Sequence, residues 1–238
     1  MTAMQSTETV AFIFAMPMEL TPLTKKLGLR KDTINGVDVQ TGTLGDRKVV
    51  AIVTGMGTDL ASSGTERLLG AITPDRVVVV GITGAVHEDT PIGHLINPER
   101  VVHSETGSEH RPTPMTDDTP SGTLWTTNRM TPPEELPDLR AKGVIALDME
   151  TAAIANLCEQ RNIPWSVFRA VSDRATDASL DDEVFKMSNQ DGTPNPRAVA
   201  RYLLKHPLAI PGLARLAKGA NLARNRAVDA AIAAVIAS

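Results

Sequence analysis

The chain has 238 residues, 42% of them hydrophobic and 22% charged, which suits one ordinary α/β-sized domain with a sizeable core. A formal net charge of −4 and an aromatic content of 3% argue against a nucleic-acid partner, because neither a basic footprint nor a base-stacking platform is available. A single cysteine, Cys158, excludes a disulfide framework and a Cys-based metal site. The opening stretch has no Lys or Arg before its apolar run, and that run is too short to span a bilayer. No signal peptide or membrane span is therefore expected, and the expected location is cytoplasmic.

In chain order, "VAFIFAM" (10–16) reads as a buried strand, and Pro17 suits the first turn of a helix running to about Gly28. Residues 36–55 read as two strands around a Gly45-Asp46 turn. A helix is predicted over 58–72, with Leu60, Gly64 and Leu68 on one face, followed by an apolar strand over 75–85 that ends in glycines. A strand region over 94–104 is interrupted by Pro98, and 105–120 is polar and proline-rich, as a surface loop would be. A further strand is predicted in "GTLWTTNR", a short helix in "PPEELPDLRAKG", a strand in "VIALDM", a helix in "ETAAIANLCEQRN" and a last strand over 163–173. This alternation, with continuous Val/Ile runs, predicts a single three-layer α/β domain: a central mixed sheet flanked by helices.

Ligands of such sheets gather at the carboxyl ends of strands. Five predicted strand ends carry something polar or glycine-rich: Glu19, Gly55-Met56-Gly57, Gly81 to Gly84, Asp148-Met149-Glu150, and Ser172-Asp173. Gly55-Met56-Gly57 lacks the third glycine of a dinucleotide fingerprint and reads first as a tight turn. None of the five histidines has metal-ligand spacing, and no G-x-S-x-G elbow is present. Each acid alone reads as a helix-start residue. Three of them at three strand ends can instead divide acid, base and cation-stabilising work.

"VAFIFAMPMEL", "VTGMGTDLASSGTERLL", "PDRVVVVGITGAVHEDTPIGHLI" and "ALDMETAAIANLCEQRNIPWSVFRAVSDRA" resemble stretches of the nucleoside phosphorylase/nucleosidase superfamily. The likeness is closer to its 5′-methylthioadenosine/S-adenosylhomocysteine nucleosidase branch, and it covers about 10–105 and 120–185. The resemblance implies a nucleosidase with no cofactor or metal that releases adenine from a 5′-substituted adenosine. It implies that Glu150 grips the ribose hydroxyls over Met149, that Asp173 protonates the base at N7 with Ser172 orienting it, and that Glu19 activates water. Met16 would line the 5′ side, Ile82-Thr83-Gly84 would run along base and sugar, and Met130 would stand where the family carries an aromatic platform. Asp148 reads as structural. A homodimer is implied, since family sites borrow an apolar wall from a neighbour.

Other readings stay open at this level. Phosphorolysis is one, although the family's phosphate-binding arginines have no counterpart beside Glu19 or before Gly81. An adenosyl-lipid or futalosine-like nucleoside is another, because Arg129-Met130 and the 105–120 stretch depart from the pattern. A non-catalytic nucleoside-binding protein is a third. Residues 197–238 read as a basic helical extension with no acid between Arg197 and Arg226, similar to tails of hopanoid-associated relatives. Leu213, Leu216, Ala220, Ala223 and Ala227 recur there at helical spacing. Such a helix either caps the domain with a solvated basic face or lies on an anionic membrane.

Overall fold

A computed structural model describes residues 7–174, 189, 193 and 195–238. The resembling stretch at 175–185 lies outside them. Strand β1 (Thr9–Phe14) leads into helix α1 (Pro17–Leu27), which is followed by the meander β2 (Arg30–Ile34), β3 (Val37–Leu44) and β4 (Arg47–Val53). Helix α2 (Thr58–Ala71) then returns to β5 (Arg76–Ala85). Short strands β6 (Leu95–Ile96), β7 (Arg100–His103), β8 (Glu109–His110) and β9 (Thr123–Thr126) precede α3 (Leu136–Ala141). The chain continues through β10 (Val144–Asp148), α4 (Thr151–Gln160) and β11 (Trp165–Arg174), and closes with α5 (Pro196–Lys205) and α6 (Ile210–Ala237).

The strands form one mixed sheet in the order β2-β3-β4-β1-β5-β10-β9-β7-β8, with β11 paired along β5. Strand β5 is its centre. It runs parallel to β1 and β11 and meets the end of β10 in antiparallel register, Leu147 opposite Gly84. Side-chain alternation divides the core. Ala11, Ile13, Val77 and Val79 face the layer of α2 and α4, packing with Leu68, Ile154, Ala155 and Cys158. Val10, Phe12, Phe14, Val78 and Val80 face α1 and α6, packing with Leu20, Leu23, Ala223, Ala227 and Val228. Burial pushes the Cys158 thiol up to about 12, so it is a core residue and not a reactive one.

The three-layer α/β architecture matches the expectation, and three local details differ. Strand β2 was not legible in the sequence, because "RKDTI" lies on an exposed sheet edge and carries no apolar alternation. The 105–120 stretch contributes the two-residue strand β8. Gly81 and Gly84 lie inside β5, within the strand predicted over 75–85. Leu60 is only half-buried, and Ala61, Gly64, Thr65, Leu68 and Leu69 make the inner face of α2.

Nor is the C-terminal helix an appendage. Ala223, Ala227, Val228, Ala231, Ala234 and Val235 are buried in the core, so the helical face that Ala223 and Ala227 would offer to a membrane is already covered. Its polar side chains bind the domain as well: Arg224 donates to the Met18 carbonyl at 3.0 Å, and Lys26 pairs with Asp229 at 2.8 Å.

Gly219 is where α6 comes closest to the sheet, since a Cβ there would lie 2.3 Å from the Ser172 carbonyl oxygen. Gly70, in α2, has nothing within 4 Å of such a Cβ. Gly219→Ala is therefore expected to destabilise the protein by about 1–3 kcal/mol through overpacking. Gly70→Ala should stabilise it by about 0.5–1 kcal/mol through helix propensity. Urea unfolding of both variants checks the contrast.

Candidate active site

The site is built from the inside out. Arg169 sits in the middle of an apolar strand, "WSVFRAVSD", with 2% of its surface exposed. A guanidinium there must be paired, or it costs several kcal/mol. Its Nη2 reaches Asp148 Oδ2 at 2.9 Å and Glu150 Oε2 at 3.0 Å, and its Nη1 donates to the Ile82 carbonyl at 2.8 Å.

Asp148 closes β10 and Glu150 stands two residues further on, and both reach this cation. Residues two apart lie on the same side of a strand. Glu150, with φ −134° and ψ −37°, is the residue before α4 and still meets Arg169 on the side that Asp148 occupies. Asp148 is structural in its bonds. It accepts from Thr126 Oγ1 at 2.6 Å, from the Thr151 amide at 3.1 Å and from the Thr151 hydroxyl, tying β9 to the first turn of α4.

Glu19 is 1% exposed and stands at the third position of α1. Its Oε2 accepts from the amides of Ala15 (3.1 Å) and Met16 (2.9 Å), and its Oε1 accepts from the Ile82 amide at 2.9 Å. It thus caps its own helix, as the sequence suggests, and is bolted to β5 as well. Gly81 makes this approach possible: a Cβ there would lie 2.6 Å from Glu19 Oε1 and 2.8 Å from Arg169 Nη1. The Gly57 amide, at a positive φ of 93°, donates to Glu150 Oε1 at 3.0 Å. The Gly-x-Gly turn is therefore part of the site and not only a packing device.

Burial pushes the Glu19 carboxyl above its ordinary value, against the pull of Arg169 and of the three amides. Burial also pushes Glu150 up to about 7, helped by the charges of Asp148 and Glu19 and opposed by Arg169 and the Gly57 amide. One cation among three carboxylates cannot hold all of them at their solution values.

At the end of β11 the pairing with β5 shifts register between Val171 and Asp173. Such a bulge re-aims the side chain that follows it. Ser172 donates to Asp173 Oδ1, and a Cβ on Gly84 would lie 3.3 Å from Asp173 Oδ2.

These groups surround a cavity of about 180 Å³. All ten residues singled out from sequence line it: Met16, Glu19, Ile82, Thr83, Gly84, Met130, Met149, Glu150, Ser172 and Asp173. Met56, read from sequence as part of a tight turn, and Arg129, read as a departure from the family pattern, line it too, as do Thr127 and Arg169, to which the sequence reading gives no role. For Arg169 the signal was present: a charged residue inside a Val/Phe/Ala strand is almost never buried without a partner. Met56 and Thr127 carried no such signal. Arg129 is tied by a two-pronged bond to Glu135, at 2.8 and 2.6 Å. Among the described residues no three His, Cys, Asp or Glu side chains are grouped to hold a metal ion.

A carboxyl-rich cleft at the ends of β1, β5, β10 and β11 is the setting in which a sugar ring can be held while positive charge develops on it. The family comparison agrees in class: a family model described as the Phosphorylase superfamily matches residues 9–124 and 115–205, and the chain belongs to that superfamily. Among curated relatives, the 5′-methylthioadenosine/S-adenosylhomocysteine nucleosidase of Bacillus velezensis is 28% identical over 207 residues, covering 72% of this chain and 90% of its own. The Staphylococcus aureus (strain MRSA252) nucleosidase of the same name is 27% identical over 208 residues, covering 74% and 91%.

Solved structures show the same fold. The Helicobacter pylori 5′-methylthioadenosine/S-adenosylhomocysteine nucleosidase superposes with a TM-score of 0.74 at 14% identity, over 98% of this chain and 99% of that one. The enzyme from S. pneumoniae with a transition-state inhibitor gives 0.72 at 18% identity, over 96% and 99%. A futalosine hydrolase mutant of Helicobacter pylori gives 0.61 at 15% identity, over 69% and 89%.

The raised Glu150 carboxyl has a consequence for stability. Between its ordinary value of 4.5 and about 7, the folded protein keeps a proton on Glu150 that the unfolded chain has lost. Stability therefore falls as pH rises through that window. Glu150→Gln removes this contribution, so its urea midpoint is expected to drop less than the wild type's between about pH 5 and about pH 8. Denaturation curves of both proteins at the two pH values check it.

Proposed function

We propose that the protein is an N-ribohydrolase that cleaves the glycosidic bond of a 5′-substituted adenosine, of the 5′-methylthioadenosine/S-adenosylhomocysteine type, and releases adenine. The observation that carries this reading is the charge balance of the cavity. Its buried cation, Arg169, is already shared by Asp148 and Glu150, with Glu19 nearby. A phosphate nucleophile would meet carboxylates where it needs cations. Water meets a base.

In this reading Glu150 accepts hydrogen bonds from the ribose hydroxyls with the lone pairs left free by Gly57 and Arg169, and it stabilises the positive charge that grows on the sugar. Glu19 takes a proton from water, which its raised pKa favours, as the water oxygen bonds to C1′. The bond from C1′ to N9 breaks, its electron pair passes to the purine, and Asp173 supplies a proton at N7. Ser172 orients Asp173. The sheet face formed by Ile82, Thr83 and Gly84 lies beneath base and sugar, Met149 lies under the ribose, Met16 borders the 5′ group, and Met130 packs on the purine through its polarizable sulfur. No step calls for a metal or cofactor.

The test is product analysis with 5′-methylthioadenosine, with and without phosphate. The expected products are free adenine and free sugar at a rate that phosphate does not change. A sugar 1-phosphate formed only with phosphate would overturn the reading. Glu19→Gln is expected to lower kcat on the order of 10²-fold or more while adenine still binds. Equal turnover by wild type and variant would remove Glu19 from its role.

We also propose a homodimer, on the strength of the family resemblance. Light scattering should return twice the chain mass, and a fully active monomer would contradict it. No helix among the described residues is long and apolar enough to cross a membrane.

A further inference from the structure

Helix α1 carries Glu19 in its first turn and Pro22 in its second. Proline has no amide hydrogen, so the carbonyl four residues back, Met18, lacks its helical donor. Met18 is the residue immediately before Glu19. A defect in helix hydrogen bonding thus falls on the turn that presents Glu19 to the cavity, where an unpaired carbonyl would leave the turn free to shift.

The missing donor comes from 206 residues away. Arg224 of α6 places Nη1 3.0 Å from the Met18 carbonyl oxygen. Its guanidinium is held in place by its own helix, because Nε and Nη2 both donate to Asn221 Oδ1 at 3.1 and 2.7 Å. Earlier on α6, Gly219 rests against the Ser172 carbonyl, beside Asp173. A third contact runs from Arg226 Nη1 to the Gly93 carbonyl at 3.5 Å, and the Gly93 amide bonds to the Val171 carbonyl at 2.7 Å. Two arginines of the C-terminal helix are thus engaged by backbone carbonyls, one of which, that of Met18, directly precedes Glu19.

We infer that Arg224 is a positioning residue: it replaces the helix hydrogen bond that Pro22 removes and so fixes Glu19 for its work on water. The inference rests on the proposed role of Glu19 in hydrolysis. It assigns to the C-terminal helix a part in catalysis that requires neither lipid nor partner. Arg224 does not touch substrate. It acts through one carbonyl, and the geometry of Glu19 is what it controls.

A double-mutant cycle on 5′-methylthioadenosine hydrolysis tests it. Arg224→Ala is expected to lower kcat roughly tenfold, with KM changed by less than about twofold, since the variant misplaces the base and leaves the binding surfaces alone. Arg224→Lys should restore part of the loss, because it returns a donor without the fork. In a Pro22→Ala background the substituted residue regains an amide hydrogen for the Met18 carbonyl, and Arg224→Ala should then cost less than about twofold. Asp229→Ala, which removes the exposed pair with Lys26 between the same two helices, should leave kcat unchanged.

Wild-type kcat in Arg224→Ala would overturn the inference alone. So would an equal loss with and without the Pro22→Ala substitution, which would mark Arg224 as general packing. A wild-type protein that releases no adenine would overturn the hydrolytic reading and the inference with it.

Discussion

A guanidinium almost without contact with water, that of Arg169, is the constraint on which the rest of the site depends. Buried charge is tolerated only with close partners, and here the partners are the carboxylates of Asp148 and Glu150. Asp148 gives up its bonding capacity to structure, through Thr126, Thr151 and Arg169. Glu150 keeps lone pairs toward the cavity, and Glu19 sits near enough to feel the same positive charge. The cation keeps Glu19 and Glu150 closer to ionisation than burial alone would allow, while burial keeps them more basic than they would be in water. Each thereby binds a proton more tightly than an exposed glutamate does.

The fold supplies the convergence. Strand β5 lies between β1 and β11 and meets β10 near its own end, so the segments that follow or close four strands fall around one point. Local features then aim each group. Asp148 and Glu150, two residues apart, both meet Arg169, a register shift in β11 precedes Asp173, and Gly81 leaves room for Glu19 and Arg169 to approach β5. Helix α6 closes the far side, with Gly219 and Arg224 each against a carbonyl beside a catalytic candidate. Charge arrangement and packing therefore serve the same end, which is to hold carboxylates still around one cavity.

Much of this was legible in the sequence because strand ends and polar residues coincide there. Buried Val/Ile runs marked β1, β4 and β5, and the acids just beyond apolar runs marked Glu19, Glu150 and Asp173 as neighbours in space. What escaped has physical reasons. Strand β2 is polar and exposed, so its place at the sheet edge depends on β3 and not on its own pattern. Asp148 and Glu150 are two residues apart and so fall on one side of a strand, and the cation that both of them meet, Arg169, lies on another strand. Arg169 was in view, inside a strand too apolar to carry it without a partner, yet only three dimensions reveal that its partners come from β10 and the turn after it. The C-terminal helix looked like an extension because its core face is built from alanines, which signal burial weakly. Its bond to Met18 spans most of the chain and has no local signature.

The measurement that bears most directly on the organising role of Arg169 is the pH–rate profile of Arg169→Gln beside that of the wild type, with 5′-methylthioadenosine as substrate. Arg169 pulls the pKa values of both Glu19 and Glu150 down. Without its charge the two carboxyls hold their protons to higher pH, so the acidic limb of the variant's profile is expected to move upward, with a lower plateau above it. An acidic limb at the wild-type position, in a folded variant, would mean that the guanidinium does not set the ionisation of the site, and the organising role given to Arg169 would be wrong.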